Sequence, residues 1–161
     1  MASDAQVRQL ESLYMLRSDI LNAAGSLRSS LSYAAQQTNS VSGELMGKFY
    51  QISAYCERCK DEYYTAQQEY DYYCTHSDSN PDYSSYTEHE LRMAVERARE
   101  NMNQAIHDFY HAQNLMSQAQ QILSSIQSLA QSGATSIDSD ASGIASAIER
   151  AAYEIGKYTQ D

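Results

Sequence analysis

From Leu45 the positions Phe49, Ile52, Cys56, Cys59, Tyr63, Ala66, Tyr70 and Tyr73 follow in alternating steps of four and three. That is the spacing of a heptad seam, which keeps to one face of a slightly supercoiled helix. A second run passes through Leu91, Val95, Ala98, Met102, Ala105, Phe109, Ala112, Met116, Ala119, Leu123, Ile126 and Ala130, with no polar residue at any of its positions. Near the start the seam reads Leu10, Leu13, Arg17, Ile20, Ala24, Leu27, Leu31 and Ala34. Arg17 is its one discordant member, and its long stem can snorkel out of the seam. Near the end Ile137, Ala141, Ile144, Ile148, Ala151, Ile155 and Tyr158 repeat the pattern.

The stretches between these runs carry helix-end signals. Ser3 to Gln6 and Thr87 to Glu90 both fit a capping box, in which side chains satisfy the free amides of a first turn. "QQTNSVSGE", "THSDSNPDYSSY" and "QSGATSIDSD" separate the four runs, and Pro81 ends any helix that enters the second of them. The pattern therefore predicts helices over about 4–38, 43–74, 87–131 and 137–159. Short links between amphipathic helices favour antiparallel neighbours. The expected fold is all-α, an antiparallel up-down bundle of four long helices with coiled-coil-like packing. It forms a single domain over 1–161, with one hairpin over 4–74 and a second over 87–159. The third helix, at 1.5 Å per residue, would be roughly 65 Å long, which predicts a rod. No helix buries its stripe alone, so mutual packing holds the fold.

Composition narrows the functional classes. The 161 residues include one proline and six glycines, so long helices are permitted. The net charge of −10 repels a nucleic-acid backbone and an anionic membrane alike. The first twenty residues hold no apolar h-region, and no run approaches the roughly 20 apolar residues that span a bilayer. Three cysteines in such a chain suggest a reducing compartment. The expected location is the cytoplasm, with export by a route that needs no cleavable signal peptide left open.

Candidate chemistry is thin. Cys56-Glu-Arg-Cys59 has the look of half a zinc site, with Cys74 and His76 downstream. Continuous helix would place Cys74 roughly 27 Å from Cys56, so the four ligands do not converge. Cys56 and Cys59 read as buried seam thiols. His107 and His111 have the i, i+4 spacing of a helical zinc pair, but Asp108 stands where a catalytic glutamate would, and no third ligand is near in sequence. No nucleophile elbow, P-loop or dinucleotide fingerprint is present. Neither a metal nor a cofactor is expected, and no enzyme activity.

Tyrosine is the compositional oddity. Nine of the fourteen lie between Tyr50 and Tyr86. Tyr63, Tyr70 and Tyr73 belong to the seam, whereas Tyr50, Tyr64 and Tyr72 fall off it. Tyrosine combines large contact area with a polar tip and is favoured at interfaces. From Gln113 to Gln131 the outer face carries Gln, Ser and Asn without a charge. Tyr50, Tyr64, Tyr72, Gln113, Gln120 and Gln127 are therefore the candidate partner-binding residues.

The link Val41-Ser42-Gly43, followed six residues later by Phe49, resembles the helix–turn–helix of small proteins handled by type VII secretion systems. Those families carry W-x-G or L-x-G between two long antiparallel helices. The resemblance covers about a third of the chain. It implies that Gly43 makes the interhelical turn, with Val41 packing across it and Phe49 following. Val41 departs from the family's Trp or Leu, and Tyr153 is followed by Lys157 where an acidic export tag would stand. The resemblance implies a non-enzymatic accessory or targeting partner of a type VII-like secretion system or its effector, which binds another helical protein. The alternative is a self-associating coiled-coil scaffold.

Overall fold

The structure, a computed structural model, describes residues 3–157. Two helices account for nearly all of it: α1, Asp4–Thr75, and α2, Ser85–Lys157. The expected four helices are thus two, and two of the three predicted links are helical. Val41, Ser42 and Gly43 lie inside α1, while Gly133 and Thr135 lie inside α2. The single turn between the helices replaces the expected pair of hairpins over 4–74 and 87–159.

The physical reason lies in the seam itself. In α1 the less exposed positions run Leu31, Ala35, Thr38, Ser42, Leu45 and Phe49. The four-three rhythm therefore passes through the predicted link, with small polar residues at two of its steps. Thr38 is buried and donates its hydroxyl to the Ala35 carbonyl at 2.6 Å, so it needs no partner beyond its own helix. In α2, Ala130, Gly133, Ala134 and Ile137 carry the seam through the other link.

The chain divides into two compact units. One joins the chain up to Ser40 with the chain from Ile122 onward. Here α1 and α2 run antiparallel, tied by Arg17–Glu149 at 2.6 Å, Arg28–Asp138 at 3.4 Å and Gln127–Asn39 at 2.6 Å. Ala24, Ala130, Ala141, Ala145, Ile148 and Ala152 are its buried apolar residues. Several positions expected in the seam lie outside it: Leu27, Ile126, Ile144 and Ala151 are exposed, and Ala145 and Ala152 take the inner places. Arg17 keeps its seam position, with its Nε buried and unpaired and its tip on Glu149. Tyr158 lies outside the described residues.

The other unit is Val41–Gln121. Its core gathers Cys56 and Cys59 of α1 and Ala105 of α2, with Met102, Ile106 and Phe109 packed against them. Phe49 packs against Phe109 with the rings tilted and their centroids 5.5 Å apart. The turn between the helices is fastened by Tyr73, whose hydroxyl accepts the Ser84 N–H at 2.7 Å and whose ring stacks on Tyr83. Asn80-Pro81-Asp82-Tyr83 closes through Tyr83 N–H to the Asn80 carbonyl at 3.1 Å, with proline at the second place where its fixed φ suits a turn. Ser84 then caps α2, accepting the Thr87 N–H at 3.1 Å. The cap is therefore Ser84 rather than Thr87. At the other end Ser3 and Gln6 do form the capping box.

Candidate functional site

Tyr50, Tyr64 and Tyr72 stand on α1 in the unit Val41–Gln121, at 62%, 59% and 68% exposure. Spacings of fourteen and eight residues place them within about 80° of arc, on the side of α1 away from Cys56 and Cys59. Tyr64 leans on Tyr63 at 5.5 Å between centroids, and Tyr72 on the His76 ring at 4.2 Å. Glu57 and Asp61 follow Tyr50 on the same arc and Asp71 borders Tyr72, so the aromatic stripe is also acidic. Lys60 holds Glu57 at 2.7 Å, and that carboxylate raises the Lys60 ammonium above its ordinary pKa. This unit carries thirteen acidic against six basic side chains, net −7.

The three glutamines separate. Gln113 is exposed on α2. Gln120 instead donates to Met46 Sδ at 3.7 Å and Gln127 to Asn39 Oδ1 at 2.6 Å, each within its own unit. Those two are occupied by the helix pair they belong to. Val41 is exposed in mid-helix, and no glycine or other described residue has a positive φ. Gly43 therefore makes no turn, and a Cβ there would meet nothing within 4 Å. Phe49 belongs to the packing of its unit through Phe109.

Tyrosine phenols near acceptors or thiols hold their protons longest. Glu88 accepts a short hydrogen bond from Tyr83 and pushes its phenol up to about 12. Glu90 raises Tyr86 in the same way. Tyr55 and Tyr70 are raised through hydrogen bonds with the Cys59 and Cys74 thiols. Tyr55, Tyr83 and Tyr86 are exposed and Tyr70 is half-buried, and in each the leading cause of the shift is a local hydrogen bond.

Cys56 and Cys59 are buried and Cys74 half-buried, all three as free thiols. His107 and His111 are exposed, and His107 has Asp108 at 3.4 Å. Among the described residues no three His, Cys, Asp or Glu side chains are arranged to hold a metal ion. No described helix is long and apolar enough to cross a membrane.

Sequence reasoning missed a group of aliphatics. Leu16, Leu27, Ile122, Ile126, Leu129 and Ile144 are exposed in the unit formed by the chain up to Ser40 and from Ile122 onward. Three of them, Leu27, Ile126 and Ile144, had been assigned to the seam. The signal that could have found them is a second apolar stripe at heptad spacing through Ile122, Ile126 and Leu129.

No protein-family model matches the chain, and no curated protein and no solved structure matches it.

Proposed function

We propose that this chain works without catalysis, as a helical association protein that binds another helical protein. The observation that supports this is the amount of large apolar and aromatic surface left facing solvent. The chain exposes 11630 Å², and among the described residues no large side chain is fully buried. A folded monomer of this mass, 18.1 kDa, is expected to expose about 8100 Å². Two helices packed as one layer have only one inner face each, so apolar residues elsewhere on them need a second layer. A partner that supplies two further helices would complete a four-helix packing.

The stripe of Tyr50, Tyr64 and Tyr72 with Glu57, Asp61 and Asp71 favours a partner helix with lysine or arginine between apolar residues. Aromatic rings would supply contact area and the carboxylates orientation and encounter rate. As its setting we propose a type VII-like secretion locus, with the chain in the cytoplasm as an accessory of an exported protein. That setting draws on the Val41-Ser42-Gly43 spacing to Phe49 and on a long helical hairpin. The continuous helix at Gly43 weighs against it.

The test is affinity capture from the native host with full-length protein and a Tyr50→Ser/Tyr64→Ser/Tyr72→Ser variant. The reading expects a helical protein or secretion component, identified by mass spectrometry, that the variant fails to retain. Equal capture by both, or no helical protein with either, overturns it.

A further inference from the structure

Resting on the association reading above, we propose that two copies of this chain pair through one apolar face. The face lies on the unit formed by the chain up to Ser40 and from Ile122 onward. In that unit the two sides of the helix pair differ. One groove is lined by Arg17, Arg28, Asp138 and Glu149, closed by the two ion pairs at 2.6 Å and 3.4 Å. Its continuation holds the Gln127–Asn39 hydrogen bond. The other side begins at Leu16, which lines a shallow groove with Leu13 and Ile155, Arg8 standing at its edge. Leu27 follows eleven residues later, three full turns, on nearly the same line of α1. On α2, Ile122, Ile126, Leu129 and Ile144 fall within roughly 60° of arc, and Asp138 and Glu149 stand roughly 120–140° away from Ile144. The six aliphatics are between 40% and 71% exposed.

Charge selects a second copy as the occupant. A two-fold interface lays one patch against itself, so a patch with a large net charge meets the same net charge and is repelled. Within this unit the stretches 29–40 and 122–137 contain no Asp, Glu, Lys or Arg, and Asp140 alone is charged on the aliphatic arc of α2. The described residues of the unit carry seven acidic and five basic side chains, net −2. The other unit, at net −7, would repel its own copy. A standard two-protein interface buries about 1600 Å², well inside the excess of about 3500 Å² over a monomer of this mass. Two helix pairs meeting on these faces make a four-helix packing with the ion pairs outside.

The experiment is size-exclusion chromatography with light scattering on full-length protein across a concentration series. The variants are Ile122→Glu/Leu129→Glu and the milder Ile122→Gln/Leu129→Gln, with circular dichroism alongside. Wild type is expected at twice the 18.1 kDa chain mass. Both variants should fall to the single mass with helicity unchanged, each position weakening dimerisation at least roughly tenfold. If glutamate unfolds the chain, the glutamine pair carries the test. A wild-type monomer at 100 µM on the order of typical assay concentrations, or folded variants that remain dimeric, overturns the face. The tyrosine variant separates the readings: a monomeric wild type that still captures a helical protein through its tyrosines removes only this proposal.

Discussion

Leu31 Cδ1 lies 3.2 Å from where a Cβ on Gly133 would sit, whereas a Cβ on Gly43 would meet nothing within 4 Å. Both glycines are mid-helix, where glycine costs about 1 kcal/mol relative to alanine. Gly43→Ala should therefore stabilise the protein by close to that amount, raising Tm by about 2–4 °C. Gly133→Ala gains the same propensity but forces Leu31 aside, at an off-rotamer cost of about 0.5–1.5 kcal/mol, so its net change should be near zero. Thermal melts of the two variants decide. A fall in Tm for Gly43→Ala would restore the interhelical turn that the resemblance implies.

Thr38 offers a second check on helix continuity. Its hydroxyl bonds back onto Ala35 of the same helix, while the side chain is buried in the seam. Thr38→Val keeps the shape and removes a polar atom whose hydrogen bond adds little to a carbonyl already in the helical ladder. Stability should change by less than about 1 kcal/mol. A loss of several kcal/mol in denaturant melts would mean that Thr38 ends a helix.

What the sequence showed of the fold depends on which residues fill the seam. Where it holds Cys56, Cys59, Ala105 and Phe109, periodicity alone located the core. Where it holds Thr38, Ser42 and Gly133, the same rhythm read as a loop, because pattern reasoning equates polar or small residues with chain reversal. Small side chains instead let two helices pass closely without a break. The shift from Ile144 and Ala151 to Ala145 and Ala152 has another cause. From Ala134 the inner positions Ile137, Ala141 and Ala145 follow in steps of three, four and four, an eleven-residue spacing that turns the seam by one position. For the site, the exposure of Tyr50, Tyr64 and Tyr72 was legible from their off-seam positions. The engagement of Gln120 with Met46 and of Gln127 with Asn39 was not, since it depends on the opposing helix.

Tyr73 should anchor the turn. Its hydroxyl is the acceptor for the Ser84 N–H at 2.7 Å in a half-buried place. Tyr73→Phe keeps the stacking on Tyr83 and strands that donor, which costs about 1–2 kcal/mol. Hydrogen exchange at the Ser84 amide should accelerate, while amides near Cys56 and Ala105 change only with global stability. Unchanged exchange at Ser84 would show the turn to be held by other contacts.

Tyr83 makes stability fall at alkaline pH. Its phenol is raised from the ordinary 10 to about 12 by Glu88. A folded pKa above the unfolded one means the contribution is fully present below pH 10 and is lost as pH rises through about 12. Tyrosinate absorbance should show a late-ionising phenol that disappears in both Tyr83→Phe and Glu88→Gln. If neither variant alters the last part of the titration, Glu88 does not hold that proton.

Thiol reactivity tests the packing of the unit Val41–Gln121 directly. Cys56 and Cys59 are 3% and 2% exposed against Ala105, whereas Cys74 is half-buried near the turn. A thiol buried in apolar contact is inert because no reagent reaches it. Ellman's reagent should therefore modify Cys74 first under native conditions. Cys56 and Cys59 should follow at rates set by opening of the helix pair, and all three should react together in denaturant. Ala105→Leu, which crowds both sulfurs, should destabilise the unit by about 1–3 kcal/mol and speed their modification without changing that of Cys74. Three thiols reacting at one rate in the native protein would contradict the seam that places them against α2.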